Sequence, residues 1–263
     1  MSVMIHPTAL VEEGAQLGVD VAIGAFAYIG ADVQIGDHCI VNPRGTVVGC
    51  TELGEACKVD TGAVIGGPPQ ILGFQDSSDS RLWVGDRVEF RENVNIHRGS
   101  PAHSGTTRIG TDSYFMANTH AAHDCQIGSK CVIANGSQIG GHVSLGDQVW
   151  VGGGVAVHQW SRVGAHAFVG GGSTLVADVI PYGSVVGNHA HLAGLNINGL
   201  KRRGFTRDDM KTLRAGYRAL FFGDGMFADR VEAVAKAYES NPHVMNIVSF
   251  IRSGRDRALC LPK

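Results

Sequence analysis

An aliphatic residue, or in a few places a Phe or Ala, recurs at every sixth position along most of this chain. The series begins Ile5, Val11, Leu17, Ile23, Ile29, Ile35, Val41, Val47, Leu53, Val59, Ile65. It resumes as Val84, Phe90, Ile96, and again as Ile109, Phe115, Ala121, Ile127, Ile133, Ile139, Leu145, Val151, Val157, Val163, Val169, Leu175. The fourth residue after the anchor is usually small or β-branched, as at Ala27, Cys39, Thr51, Ser113, Cys125, Ser137 and Ser161. A period of six fits neither a helical face nor a two-residue strand alternation, so it marks a short repeat of strand plus corner. Hexads of this kind can close into coils and the coils can stack. Each strand then pairs with the one a coil above, and the aliphatic anchors fill an interior column. The expected class is mainly β.

The rhythm breaks twice. Gly66 to Trp83 contains Pro68-Pro69 and the polar run from Gln75 to Ser80, and His97 to Arg108 is rich in Gly, Ser and Pro. Both read as long loops on a repetitive scaffold, where loops of this length are often functional. After Leu175 the repeat fades, and a helical pattern starts near Thr206, a good N-cap with Asp208 and Asp209 in the first turn. Met210, Leu213, Tyr217, Leu220 and Phe221 recur at helical spacing; Val231, Val234 and Tyr238 mark a second helix, and Val244, Ile247, Val248 and Ile251 a third. The expected division is a β domain over 1–190 and a helical domain over 191–263, the helices closing the end of the stack. The hexads resemble those of the hexapeptide-repeat acyltransferases. That resemblance implies a left-handed parallel β-helix with three hexads, or eighteen residues, per coil.

Composition narrows the chemistry. Glycine, at 37 of 263 residues, is about double the usual share of roughly 7%, which fits recurring tight corners. A net charge of −2 excludes generic nucleic-acid binding. Its distribution is uneven: residues from 200 onward hold 13 Lys+Arg against 7 Asp+Glu, a basic surface for an acidic partner. The start of the chain carries no basic, apolar leader, and no stretch is long enough to span a membrane. The six cysteines have no metal or disulfide spacing, and Cys39, Cys57, Cys125 and Cys131 sit at the small-residue position of the hexad. This fits small apolar fillers in a reducing cytoplasm.

Twelve histidines are present, and His120, His123, His142, His158 and His166 crowd one stretch. A single histidine on a solvated face is ordinarily a surface residue. On an eighteen-residue coil, however, residue 123 stacks on residue 141, a glycine, one strand spacing of about 4.8 Å away. An imidazole base beside an open glycine N–H suits acyl transfer to a hydroxyl: one takes the proton, the other holds the oxyanion. No Gly-x-Ser-x-Gly nucleophile elbow stands out.

The segments Ile96-His97-Arg98-Gly99, Ala117 to Cys125, Gly140 to Ser144, Ala156 to Gln159, Gly187 to Ala190 and Asn196 to Phe205 resemble the acyl-[acyl-carrier-protein]–UDP-N-acetylglucosamine O-acyltransferases of lipid A biosynthesis. The resemblance covers essentially the whole chain. It implies that a 3-hydroxyacyl chain passes from the phosphopantetheine of acyl carrier protein to the sugar 3-hydroxyl, with no resident cofactor or metal. It further implies His123 as general base, Asp124 orienting or polarising it, and the Gly141 N–H as oxyanion donor. His120, His142, His158 and Gln159 match sugar or diphosphate contacts. His189, Asn196, Arg202 and Arg203 match the nucleotide end, Asn198 holds a substrate-contact position beside them, and Phe168 and Gly171 fall in the region setting acyl length. A cytoplasmic homotrimer with sites between subunits is implied as well.

The match is imperfect after Ile65. Members carry Gln-Asp-Leu-Lys-Tyr where this chain has Gln70-Ile71-Leu72-Gly73-Phe74, and Asn198 stands where a glutamate is usual. Gln70 is kept as a substrate contact. Either the longer loop compensates, through Asp76 or Asp79, or the acceptor is a 3-amino UDP-sugar and the product an amide. Two other readings differ in class. A zinc enzyme like the γ-class carbonic anhydrases would use His97, His120 and His123, although the spacing of the last pair is unusual for it. A non-catalytic repeat scaffold would show no turnover with any donor. A related N-acyltransferase with an extra N-terminal domain fits poorly, because the hexads already begin at Ile5.

Overall fold

In a computed structural model, which describes residues 3–254 and 257–263, the hexads fold as a left-handed parallel β-helix followed by helices. Strands of mostly two residues form three sheets of eleven, nine and eight strands, the faces of a triangular prism. The first face starts at Met4–Ile5, the second at Leu10–Val11 and the third at Gln16–Leu17. Regular register partners lie eighteen residues apart, as in Met4↔Ala22 and His120↔Gln138. Alternation along each strand turns one residue out and the hexad anchor in. Ile29, Val47, Ile65, Ile96, Phe115, Ile139 and Val169 are each 0% exposed, in one continuous core. Each such side chain contributes roughly 1.5–3 kcal/mol by leaving water, offsetting the ordering of a chain that has little local secondary structure.

The small residue after each corner closes the column. Cys39, Cys57, Cys125 and Cys131 are buried free thiols, and Cys57, Cys125 and Cys131 each donate to a glycine carbonyl a coil further on. A second regularity lies one residue earlier. The third residue after the anchor adopts a left-handed conformation, with φ of 61° at Asp124, 62° at His142 and 68° at Trp160. This costs a side-chain-bearing residue about 1 kcal/mol and turns the chain through the corner. Stacking holds it in place: His142 N–H donates to His123 O and Trp160 N–H to Gly141 O, both at 3.0 Å.

Both rhythm breaks leave from the corner between the second and third faces. Val64 pairs with Asn95, 31 rather than 18 residues on, so the first loop adds thirteen residues; Asn95 pairs with His120, 25 on, so the second adds seven. The loops project while the coil beneath continues in register. The stack ends later than its periodicity: Gly183–Val186 adds a last parallel strand to the first face, and His191–Leu195 pairs antiparallel with it.

Four helices follow. The short α1, Ile197–Arg202, has no hydrophobic period and was not legible in the sequence; Asn196 caps it. Helix α2, Arg207–Phe222, starts at Thr206 in a full capping box with Asp209. Helix α3 covers Phe227–Ala237 and α4 covers Pro242–Arg252. Gly216 of α2 lies against Val244 of α4, too close for any larger residue. Tyr182 and Arg162 tie the bundle to the coils: Asn246 donates to the Tyr182 hydroxyl, and Arg162 reaches the Phe250 carbonyl.

Candidate active site

The second-to-third corner carries both loops and most of the clustered histidines. His123 is the second residue after the anchor Ala121, so it projects where the chain leaves the second face. Its Nδ1 lies 2.8 Å from Asp124 Oδ2. With Nδ1–H given to a carboxylate, the Nε2 lone pair is left free on the other edge of the ring. That edge faces Gly141, the equivalent position one coil on, where a Cβ would sit 2.9 Å from Nε2. Gly140 and His142 donate their N–H groups to Val157 O and His123 O, whereas no acceptor among the described residues takes the N–H of Gly141. A free proton acceptor and a glycine whose N–H is free therefore stand side by side.

Asp124 is buried, its side chain 1% exposed. Ser104 Oγ donates to Oδ1 at 2.6 Å, and the Ser100 N–H reaches both oxygens at 3.1 Å. Burial alone would raise this carboxyl, but those donors and His123 outweigh it and hold Asp124 below the ordinary carboxylate range. His142 Nδ1 stands 3.8 Å from the same Oδ2. Its ring stacks on Trp160 at 3.7 Å and 8°, with His103 edge-on at 4.5 Å. Burial lowers the His142 pKa, partly offset by Asp124.

His120 lies on the strand entering the corner, its Nδ1 3.2 Å from Asn95 O and its ring edge-on to His97. Burial lowers both, His97 to about 4. The metal set His97, His120 and His123 is not the one the fold brings together. Among the described residues the clustered ligand atoms belong to His123, Asp124 and His142, of which His123 and Asp124 are already hydrogen-bonded to each other. His158 and Gln159 occupy the same corner, a coil beyond Gly141, and both are exposed; Arg257 donates to Gln159 O at 2.7 Å.

The other expected contacts lie elsewhere. Asn196, Asn198, Arg202, Arg203 and Phe168 line a separate cleft of about 500 Å³ against the first face. Asn196 is committed at both ends of its amide, donating to His166 O and accepting from Gly199 N–H. Arg203 donates to Gln148 O at the third-to-first corner, whereas Arg202 is exposed. Phe168 turns outward into this cleft, and Gly171 lies beside Gly153 on the first-to-second corner. His189 is exposed near the last coil. Within one chain, then, the His123 corner and the Arg202 cleft are apart.

Gln70 is exposed on the first loop. Asp76, one of the two acids offered as compensation, instead pairs at 2.9 Å with Arg98, whose side chain is 4% exposed. It ties the loop to the coil. Sequence reasoning missed Ser100, Ser104, His103 and Trp160. The Asp124, His142, Trp160 stack follows from the eighteen-residue coil, but the serines and His103 sit in a loop outside any register.

A β-helix of hexads with an imidazole facing an open glycine amide defines an acyltransferase of the hexapeptide-repeat class. A family model described as bacterial transferase hexapeptide matches residues 106–141, and one described as Udp N-acetylglucosamine O-acyltransferase, Domain 2, matches 178–260. Acyl-[acyl-carrier-protein]–UDP-N-acetylglucosamine O-acyltransferases of Agrobacterium fabrum and Caulobacter vibrioides are 41% and 46% identical to the chain, over 99% and 98% of it and 96% and 98% of their own lengths. The UDP-N-acetylglucosamine acyltransferase structure from Campylobacter jejuni superposes with a TM-score of 0.93 at 33% identity, covering 98% of this chain and 100% of its own. The one from Bacteroides fragilis gives 0.93 at 32%, covering 97% and 99%. The chain belongs to the acyl-[acyl-carrier-protein]–UDP-N-acetylglucosamine O-acyltransferase family.

Proposed function

We propose that the protein moves a 3-hydroxyacyl chain from acyl carrier protein to the 3-hydroxyl of UDP-N-acetylglucosamine, the first step of lipid A biosynthesis. The observation that carries this reading is the pairing of a free His123 Nε2 with the unpartnered Gly141 N–H. His123 takes the hydroxyl proton as the sugar oxygen attacks the thioester carbonyl. The carbonyl oxygen becomes an oxyanion held by the Gly141 N–H, and Asp124 stabilises the imidazolium. Collapse of the intermediate breaks the carbon–sulfur bond, and the imidazolium returns its proton to the departing thiolate. The donor arrives already activated on phosphopantetheine, so no enzyme nucleophile is consumed.

His120, His142, His158 and Gln159 surround the sugar and diphosphate, with Gln70 reaching in from the first loop. The nucleotide end falls to Asn198, Arg202 and His189, with Asn196 and Arg203 holding that cleft in shape. Phe168 and Gly171 bound the acyl groove. Because His123 and Arg202 are apart in one protomer, the site is assembled between protomers of a homotrimer. The basic C-terminal region receives the acidic carrier protein, and six free cysteines suit a cytoplasmic setting. No described helix is long and apolar enough to cross a membrane.

His123→Ala tests the reading. Turnover of UDP-N-acetylglucosamine with a 3-hydroxyacyl carrier protein should fall by about 10²–10⁴-fold with unchanged thermal unfolding. Activity within a few-fold of the parent would refute it. Competing the 3-hydroxyl and 3-amino UDP-sugars in the same assay measures the acceptor preference, expected for the hydroxyl.

A further inference from the structure

We infer that Ser104 is a positioning residue for the general base, acting through Asp124. This rests on the acyl-transfer reading above. The second inserted loop has no counterpart in a regular coil, yet its backbone folds back so that Ser100 and Ser104 both address one buried carboxylate. Asp124 accepts from Ser104 Oγ at 2.6 Å on Oδ1 and from His123 Nδ1 at 2.8 Å on Oδ2, while the Ser100 N–H spans both oxygens. Ser104 Oγ also lies 3.1 Å from Thr106 O, so its single proton goes to the closer, charged acceptor. The carboxylate plane is thus fixed from the side opposite the imidazole.

Fixing that plane matters because a second imidazole competes for the same oxygen. His142 Nδ1 is 3.8 Å from Oδ2, against 2.8 Å for His123. Without the Ser104 donor, Asp124 can swing toward His142, and His123 loses the bond that aims Nε2 at the hydroxyl. The hydroxyl also tempers the charge on the carboxylate. Removing it leaves Oδ1, among the described residues, with only the shared Ser100 N–H, and the carboxylate turns more easily out of the plane that His123 needs. The other titratable or charged groups facing this pair are His142, His97 and His120, with His103 packed behind His142 and Arg98 beside His97. Of these, His97, Arg98 and His103 lie in the second rhythm break; His97 meets His120, and His103 meets His142 and Trp160, rather than Asp124.

The experiment measures kcat and KM separately for the parent, Ser104→Ala and Ser104→Thr, each checked by thermal unfolding. Ser104 is exposed, so the alanine variant should fold normally. In Ser104→Ala, kcat should fall about tenfold. KM for the sugar nucleotide should hold. Threonine, which keeps the hydroxyl, should restore kcat. A kcat within a few-fold of the parent, a loss confined to KM, or no rescue by threonine overturns the inference while leaving the acyl-transfer reading intact. A His123→Ala enzyme of near-parental kcat would overturn the histidine base, and the role of Ser104 with it.

Discussion

Gly141 shows how little room the site leaves at the level of a single atom. A methyl group there would stand 2.9 Å from both Cε1 and Nε2 of His123, pushing the imidazole off its line without removing the amide. Gly141→Ala should therefore lower kcat by about 10²-fold or more, because both proton transfer and oxyanion binding depend on that line. Circular dichroism and unfolding should match the parent, since the position is a corner; full activity would place the oxyanion donor elsewhere. The stacking of residue 141 on residue 123 was legible because both are the second residue after an anchor, one coil apart. Asp124, His142 and Trp160 form the next such column and were legible in principle, through a left-handed corner at the third position. Ser100 and Ser104 were not, because a hydrogen bond across an inserted loop has no period to betray it.

At the level of elements, the two insertions are the parts of the fold that the repeat does not dictate. Among the described residues the first carries one ion pair to the coil, Asp76 to Arg98, between an acid 64% exposed and a guanidinium group that is buried. Its hydrogen bond to Arg98 is the main reason Asp76 lies below its usual pKa. A carboxyl depressed in the fold contributes its stabilisation above the unfolded value and loses it as pH falls through the folded one. Asp76→Asn should thus speed proteolysis between residues 68 and 80 at neutral pH, and the parent loop should approach the mutant rate in acid. Equal cleavage of both proteins at neutral pH would mean that the loop is held by other contacts. The helices divide in the same way between legible and hidden. Thr206 with Asp209, and the apolar spacing of α2, α3 and α4, announced themselves through capping and a 3.6-residue period. Helix α1 carries a central Gly199 and a single buried residue, Leu200, and owes its existence to the Asn196 cap rather than to a pattern.

Across the whole molecule, the base and the nucleotide-side arginine occupy different places on the prism. His123 projects at the second-to-third corner, whereas Arg202 lines the cleft against the first face, beside the third-to-first corner where Arg203 is anchored. If one catalytic centre needs both, as the proposed trimer implies, each centre takes them from adjacent protomers related by a threefold axis. That arrangement has a numerical consequence. Homotrimers of His123→Ala lack the base at every centre, and homotrimers of Arg202→Ala lack the phosphate contact at every centre. When equal amounts of the two chains are unfolded together and reassembled at random, a centre is whole only if its base comes from an Arg202→Ala chain and its arginine from a His123→Ala chain. About one centre in four meets both conditions, so the mixture should recover about a quarter of parental activity from two nearly inactive proteins. Mixing the folded trimers without reassembly should recover nothing, which separates subunit exchange from simple addition of residual rates. If the reassembled mixture stays as inactive as its components, the base and the arginine serve the same protomer's centre, and the intersubunit site is wrong.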